Sequence, residues 1–129
     1  MNQSTERGSI SALVLGLTLT FMLCAGLVVD GGRVVSRYLE LADIAENAAR
    51  SGSQELRSLR SGNPTVDPVR ATRAAERFLE VHAVSGVVSI EGNLVIVSVD
   101  GPVRFSLLNL VGLSTTSVSV SRSAEPVTQ

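Results

Sequence analysis

Residues 9–29 form a continuous run without one charged side chain, bounded by Glu6 and Arg7 on one side and by Asp30 and Arg33 on the other. About twenty apolar residues are what a helix needs to cross the hydrocarbon core of a bilayer. The strongly apolar positions here, from Ile10 through Leu13, Leu17, Phe21 and Leu23 to Val29, contribute on the order of −6 kcal/mol to insertion. A cleavable secretory signal is normally shorter and ends in a small-x-small site. No such site follows the run, which continues Val29-Asp30-Gly31-Gly32. The pattern therefore predicts a single transmembrane helix.

Past the run, apolar residues return at three- and four-residue steps: Tyr38, Leu41, Ala42, Ala45, Ala48, Ala49, Gly52, Leu56 and Leu59. That spacing puts one apolar stripe on a helix. Arg37, Glu40, Asp43, Glu46 and Arg50 fill the opposite face. Gly31 and Gly32 weaken the helix locally, by about 1 kcal/mol each relative to Ala, and mark a place for a kink. Ser61-Gly62-Asn63-Pro64 reads as the stop, so residues 30–62 are predicted as an amphipathic continuation of the anchor. The stripe is small in its middle, at Ala42, Ala45, Ala48, Ala49 and Gly52, and small residues let another backbone come close. Two readings of that face stand side by side: a core face for the chain's own domain, and a packing face for neighbouring subunits.

Residues 63–129 read as a small α+β domain. Asp67 before Pro68 is a helix start, an N-cap followed by proline at the first helical position. A helix over residues 69–82 places Ala71, Ala75, Phe78 and Leu79 on one side, and Gly86 closes that region. Two β-branched runs, residues 87–90 and 94–99, flank Glu91-Gly92-Asn93 and predict a hairpin. Asp100-Gly101-Pro102 is expected to break the second strand. Residues 103–113 are apolar enough for a short helix or an irregular amphipathic segment, and residues 115–122 alternate as a third strand around Val118 and Val120. The expected architecture is α+β: a long helix, transmembrane in its first half, then a short helix and a small antiparallel sheet.

Composition narrows the function. All eleven basic residues are arginine, and net charge is −1, so no global field draws the chain to nucleic acid. Aromatics are 3%, too few for a base-stacking platform. The single cysteine, Cys24, lies in the apolar run and reads as a small hydrophobe in lipid. His82 is the only histidine, placed at a helix end as a solvated or capping residue. With one His and no Gly-x-Ser-x-Gly, no hydrolase triad is expected. Gly31-Gly32 lacks the Gly-Lys-Ser/Thr that makes a phosphate loop. No catalytic, cofactor-binding or metal site is expected, and no small-molecule substrate.

The N-terminal blocks resemble a known family. Glu6-Arg7-Gly8-Ser9, the uncharged run, Asp30-Gly31-Gly32-Arg33, and Leu41-Ala42-Asp43-Ile44-Ala45-Glu46-Asn47-Ala48-Ala49-Arg50 together are similar to TadE/TadG-like proteins, pilin-like components of Tad (Flp-type) pilus systems. The Val-rich hairpin and Phe105-Ser106-Leu107-Leu108-Asn109-Leu110-Val111-Gly112-Leu113 extend the likeness. The resemblance implies a minor pilin-like or assembly subunit in the cytoplasmic membrane, its C-terminal domain outside, with other pilus subunits as partners. It also implies prepilin-type processing between Gly8 and Ser9, residues 1–8 being a leader-like segment. The fifth position after that cut, where processed pilins usually carry Glu, is Leu13. By arginine count alone, Arg33 and Arg37 against Arg7 favour the opposite topology, with the long side cytoplasmic. The alternative reading is a membrane-anchored binding or regulatory module of a secretion system, outside any pilus.

Overall fold

The structure is a computed structural model that describes residues 4–57 and 65–126. Helix α1 (Ser4–Ser53) is followed by β1 (Leu56–Arg57), β2 (Thr65–Val66), α2 (Pro68–Val81), β3 (Gly86–Glu91), β4 (Leu94–Arg104), a 3-10 turn (Leu108–Val111) and β5 (Thr115–Ala124). This is the expected α+β order: a long apolar helix, a second short helix and a three-stranded antiparallel sheet, β3-β4-β5. A two-residue ladder joins β1 and β2, with Leu56 opposite Val66.

The chain divides into two compact units. One takes α1 as far as Arg33 together with Arg104–Thr116. The other takes Val34–Val103 and the chain from Ser117 onward.

In the first unit, α1 is long and apolar enough to cross a membrane. Its apolar side chains are exposed throughout, from Ile10 to Val29. The two threonines inside the run satisfy themselves: the Thr18 and Thr20 hydroxyls donate to the carbonyls of Val14 and Gly16, at 2.8 and 2.9 Å. Back-bonding of this kind leaves neither threonine hydroxyl seeking a partner in a nonpolar medium. The helix runs through Gly31 and Gly32 without a break.

In the second unit, the stripe on α1 is the core. Leu41, Ala42, Ala45, Ala48 and Ala49 are buried with Val95, Val97 and Val99 of β4 and Ala71, Ala75 and Leu79 of α2. Small side chains on the helix allow this close packing. At Gly52 a Cβ would stand 3.0 Å from both the Ala71 carbonyl oxygen and Val95 Cγ1. At Gly101 it would stand 3.0 Å from the Arg37 guanidinium and 3.1 Å from Leu41 Cδ1.

Four local expectations shift. Helix α1 ends at Ser53, short of residue 62. Ser51-Gly52-Ser53 are weak helix formers, and the Ser53 hydroxyl donates to the Arg50 carbonyl at 3.0 Å, tightening the last turn. Glu55 then begins a connection whose carbonyl accepts the Asp67 amide at 2.9 Å. Leu56 therefore lies on a strand rather than on the stripe. Leu59 and the expected stop at Ser61-Gly62-Asn63-Pro64 lie outside the described residues.

Helix α2 starts as predicted, with Asp67 accepting the amides of Val69 and Arg70 at 3.1 and 3.2 Å. Its end is not made by Gly86. His82 is the C-cap, and Ala83 takes the left-handed conformation at φ 52°. Gly86 instead opens β3, where a Cβ would stand 2.7 Å from the Ser98 carbonyl oxygen.

The hairpin turns through Gly92 and Asn93, with Glu91 opposite Leu94 and Gly92 at φ 62°. Strand β4 does not break at Asp100-Gly101-Pro102; it continues to Arg104. Pairing with β3 ends at Gly86 opposite Val99. Pro102 thus sits where β4 has lost one neighbour, and a proline is tolerated at such an edge. Residues 103 and 104 accordingly belong to β4, leaving the turn Leu108–Val111 as the short helix of that segment.

Candidate functional site

The most highly organised polar site in the first unit is built on Asp30, at the end of the uncharged run. Its side chain is fully buried, at 0% exposure. One carboxylate oxygen accepts the Ser106 amide at 2.9 Å. The other accepts the amides of Leu107 and Leu108, at 2.8 and 2.7 Å. Leu107 and Leu108 open the 3-10 turn, whose N-cap residue, Leu107, offers no side-chain cap of its own. The first amides of any helical turn lack partners within it. Asp30 supplies them from a different element, 76 to 78 residues away in sequence.

Arg33, one turn further along α1, completes the arrangement. Its guanidinium lies 3.4 Å from the Asp30 carboxylate and donates to the Ser106 hydroxyl. The Leu108 amide is the largest influence on Asp30 and lowers its pKa. Burial pushes the other way, and the amides of Ser106 and Leu107 with the Arg33 charge lower it further, so the carboxyl ends below its ordinary value of 3.8. A carboxylate held by several backbone amides is expected to behave this way.

The rest of the loop closes on itself. The Phe105 amide donates to the Ser114 carbonyl at 3.0 Å, Leu110 to Leu107, Gly112 to Asn109 and Leu113 to Leu108. Gly112, at φ 90°, makes the left-handed exit that this closure requires. Leu107 packs over Gly26 of α1: a Cβ there would lie 3.2 Å from the Leu107 Cβ.

The residues singled out from sequence fall as follows. Asp30 and Arg33 share this site. Gly31 and Gly32 are exposed, with nothing within 4 Å of a built Cβ, so no contact demands glycine there. Gly8 and Ser9 are exposed on α1, again with open space at Gly8. Ala42, Ala45, Ala48, Ala49 and Gly52 are buried in the second unit's own core. His82 is exposed at the end of α2, stacked on Phe78 with ring centroids 4.3 Å apart, its Nδ1 2.8 Å from the Phe78 carbonyl oxygen. Among the described residues, no group of three His, Cys, Asp or Glu side chains is placed to hold a metal ion.

Sequence reasoning missed the partner of Asp30. The signal was present in two pieces: a lone carboxylate at the end of an uncharged run, and a charge-free segment between Arg104 and Arg122 with glycine at its turn. Nothing in spacing or periodicity joins pieces so far apart.

The fold is that of a small α+β unit sharing one long helix with a stretch apolar enough to cross a membrane. Residues 8–55 match the model of a family described as "Putative Flp pilus-assembly TadE/G-like". The matched stretch takes in nearly all of α1, including Asp30-Gly31-Gly32-Arg33 and the alanine stripe. No match was found among curated proteins or among solved structures.

Proposed function

We propose that this chain is a membrane-anchored, minor pilin-like or assembly subunit of a Tad (Flp-type) pilus. Residues 9–29 hold it in the cytoplasmic membrane, its C-terminal domain lies outside, and it acts by packing its helix on partner subunits. The observation that carries this reading is the family match over residues 8–55, which includes the apolar half of α1 and the motif that follows it.

The packing surface available to partners is limited by the core. Ala42, Ala45, Ala48 and Ala49 are already covered within the chain. Partner helices would therefore meet the exposed apolar side chains of the first half, such as Leu13, Leu17 and Phe21. Leu13 also leaves the apolar run without the carboxylate that a filament-core pilin uses against a neighbour's N-terminal amine. That favours a minor or assembly role over a shaft subunit.

Two measurements test the proposal. Deletion of the gene should reduce surface piliation, and the wild-type gene should restore it; unchanged piliation on deletion would sink the pilus role. Mass spectrometry of the mature protein from membranes separates the processing variants: an N-terminus at Ser9 fits prepilin-type cleavage, and an intact leader fits a permanent anchor.

A further inference from the structure

We infer that residues 107–113 form a second membrane contact, a loop that lies in the lipid at the headgroup–acyl boundary beside the transmembrane helix. The inference rests on the reading of residues 9–29 as a membrane span. Its starting observation is the exposure of apolar side chains on a short, well-formed loop: Leu110 is 80% exposed, Val111 57% and Leu113 55%. Apolar groups held outward by a closed backbone normally mark an interaction surface.

What covers them is set by where they stand. The loop and α1 together form an apolar groove of about 390 Å³ lined by Leu19, Met22, Leu23 and Gly26 on the helix and by Leu110 and Val111 on the loop. That size falls in the range that holds a small organic molecule, so it accommodates a length of acyl chain. One wall of the groove is the transmembrane segment itself. Whatever surrounds the span at that level fills the groove, and for a span in a bilayer that is lipid. At 1.5 Å per residue, the stretch from Gly26 to Leu19 lies roughly 6 to 16 Å from Asp30 along the helix. The outer half of a bilayer's hydrocarbon is about 15 Å thick.

Irregular backbone enters lipid only if its polar groups are satisfied within the protein. Six amides of residues 106–113 meet that demand. Asp30 takes the amides of Ser106, Leu107 and Leu108, and the amides of Leu110, Gly112 and Leu113 are taken inside the loop. No charged residue occurs between Arg104 and Arg122. The one polar side chain of residues 107–113, Asn109, suits a loop at the boundary better than one at the bilayer centre. The buried Asp30 carboxylate then has a purpose beyond fold: it makes the return loop compatible with lipid.

The chain contains no tryptophan, so a single introduced indole is a clean reporter. Leu110→Trp and Leu19→Trp variants of the full chain are reconstituted separately in phosphatidylcholine–phosphatidylglycerol vesicles whose chains are brominated either near the headgroup or near the chain end. Leu110→Trp is expected to emit blue-shifted, to resist acrylamide, and to lose fluorescence severalfold more with the shallow bromine than with the deep one. Leu19→Trp is expected to show the reverse depth preference. If Leu19→Trp is quenched by bromine but Leu110→Trp is reached by acrylamide instead, the loop lies in water and the inference is overturned. If Leu110→Trp is shielded from both quenchers, protein covers the groove, a second copy or another subunit, and lipid contact is again refuted. If Leu19→Trp itself escapes bromine, the span reading fails and takes the loop with it.

Discussion

The carboxylate of Asp30 accepts the amide hydrogen of Leu108 at 2.7 Å, closing the end of the apolar helix against a loop 78 residues further along the chain. Two more amides share the same carboxylate. A buried charge is tolerated only where hydrogen bonds replace its water, and here they do, with Arg33 adding the opposite charge. The relationship explains how a residue of the Asp30-Gly31-Gly32-Arg33 motif is used: it is a cap delivered across the fold.

Replacing Asp30 by Ala removes the acceptor for three amides at once. Buried donors left without a partner destabilise their surroundings more than the lost bonds alone would suggest. The expected result is local. In reconstituted protein, amide hydrogen exchange should accelerate over residues 105–113 while α2 and the β3–β4 hairpin keep wild-type protection. Arg33→Ala should produce the same pattern more weakly, since Arg33 is 49% exposed and touches only a side chain of the loop. Unchanged exchange in the loop of Asp30→Ala would show that the carboxylate does not hold it.

Acid should release the same loop. The folded pKa of Asp30 lies below 3.8, the value taken for the unfolded chain. The unfolded state therefore takes up the proton first as pH falls. The stabilisation is complete well above 3.8 and is lost as pH drops through the folded pKa. Loop protection in the wild type should thus be flat at neutral and mildly acidic pH and fall only below the ordinary carboxylate range. Asp30→Asn has no carboxyl to protonate, so its loop should be weaker at neutral pH and show no step in that acid window. A wild-type step near neutrality would assign the pH response to some other group.

Gly86 is needed for close approach rather than for conformational freedom. A Cβ there would stand 2.7 Å from a backbone oxygen, 2.8 Å from Val99 Cγ1 and 3.0 Å from Leu79 Cδ1. Neither the strand nor the buried leucine moves cheaply, so Gly86→Ala is expected to cost about 1–3 kcal/mol, the usual range for overpacking. Gly32→Ala, with open space around it and a helical site, should be neutral or slightly stabilising. Thermal unfolding of the two variants beside wild type measures the contrast.

The parts of the fold that were legible in sequence are those fixed by local chemistry. Asp67-Pro68 placed the start of α2 because cap and proline act within one turn. Gly92-Asn93 placed the hairpin for the same reason. The alanine stripe announced a close-packed face, and its burial followed. The spacing carries the expected end of α1 too far along because Leu56 continues the stripe, whereas the chain there already pairs with Val66. Strand β4 is longer than its pattern predicts because Asp100-Gly101-Pro102 looks like a breaker, and only the missing neighbour past Val99 shows why it is not. The candidate site divided along the same line. Asp30 and Arg33 stood out as a motif, but their partners are backbone amides of residues 106–108, which have no sequence signature.

Gly26 offers the sharpest test of how tightly the loop sits on the helix. Leu107 approaches so closely that a Cβ at residue 26 would meet the Leu107 Cβ at 3.2 Å. Gly26→Ala sets two effects in opposition. Alanine is better than glycine in a helix interior by about 1 kcal/mol, while the contact requires Leu107 to give by a few tenths of an ångström. The loop is joined to α1 by hydrogen bonds at its Asp30 end, so a small shift is tolerable and the alanine variant should keep loop protection near wild type. Gly26→Leu leaves no room. Its side chain would occupy the place of Leu107, force the turn away from α1, and lengthen the bonds to Asp30. Hydrogen exchange over residues 105–113 should then resemble that of Asp30→Ala. Should Gly26→Leu retain full protection, the loop would be held by Asp30 alone and its packing on the helix would contribute nothing.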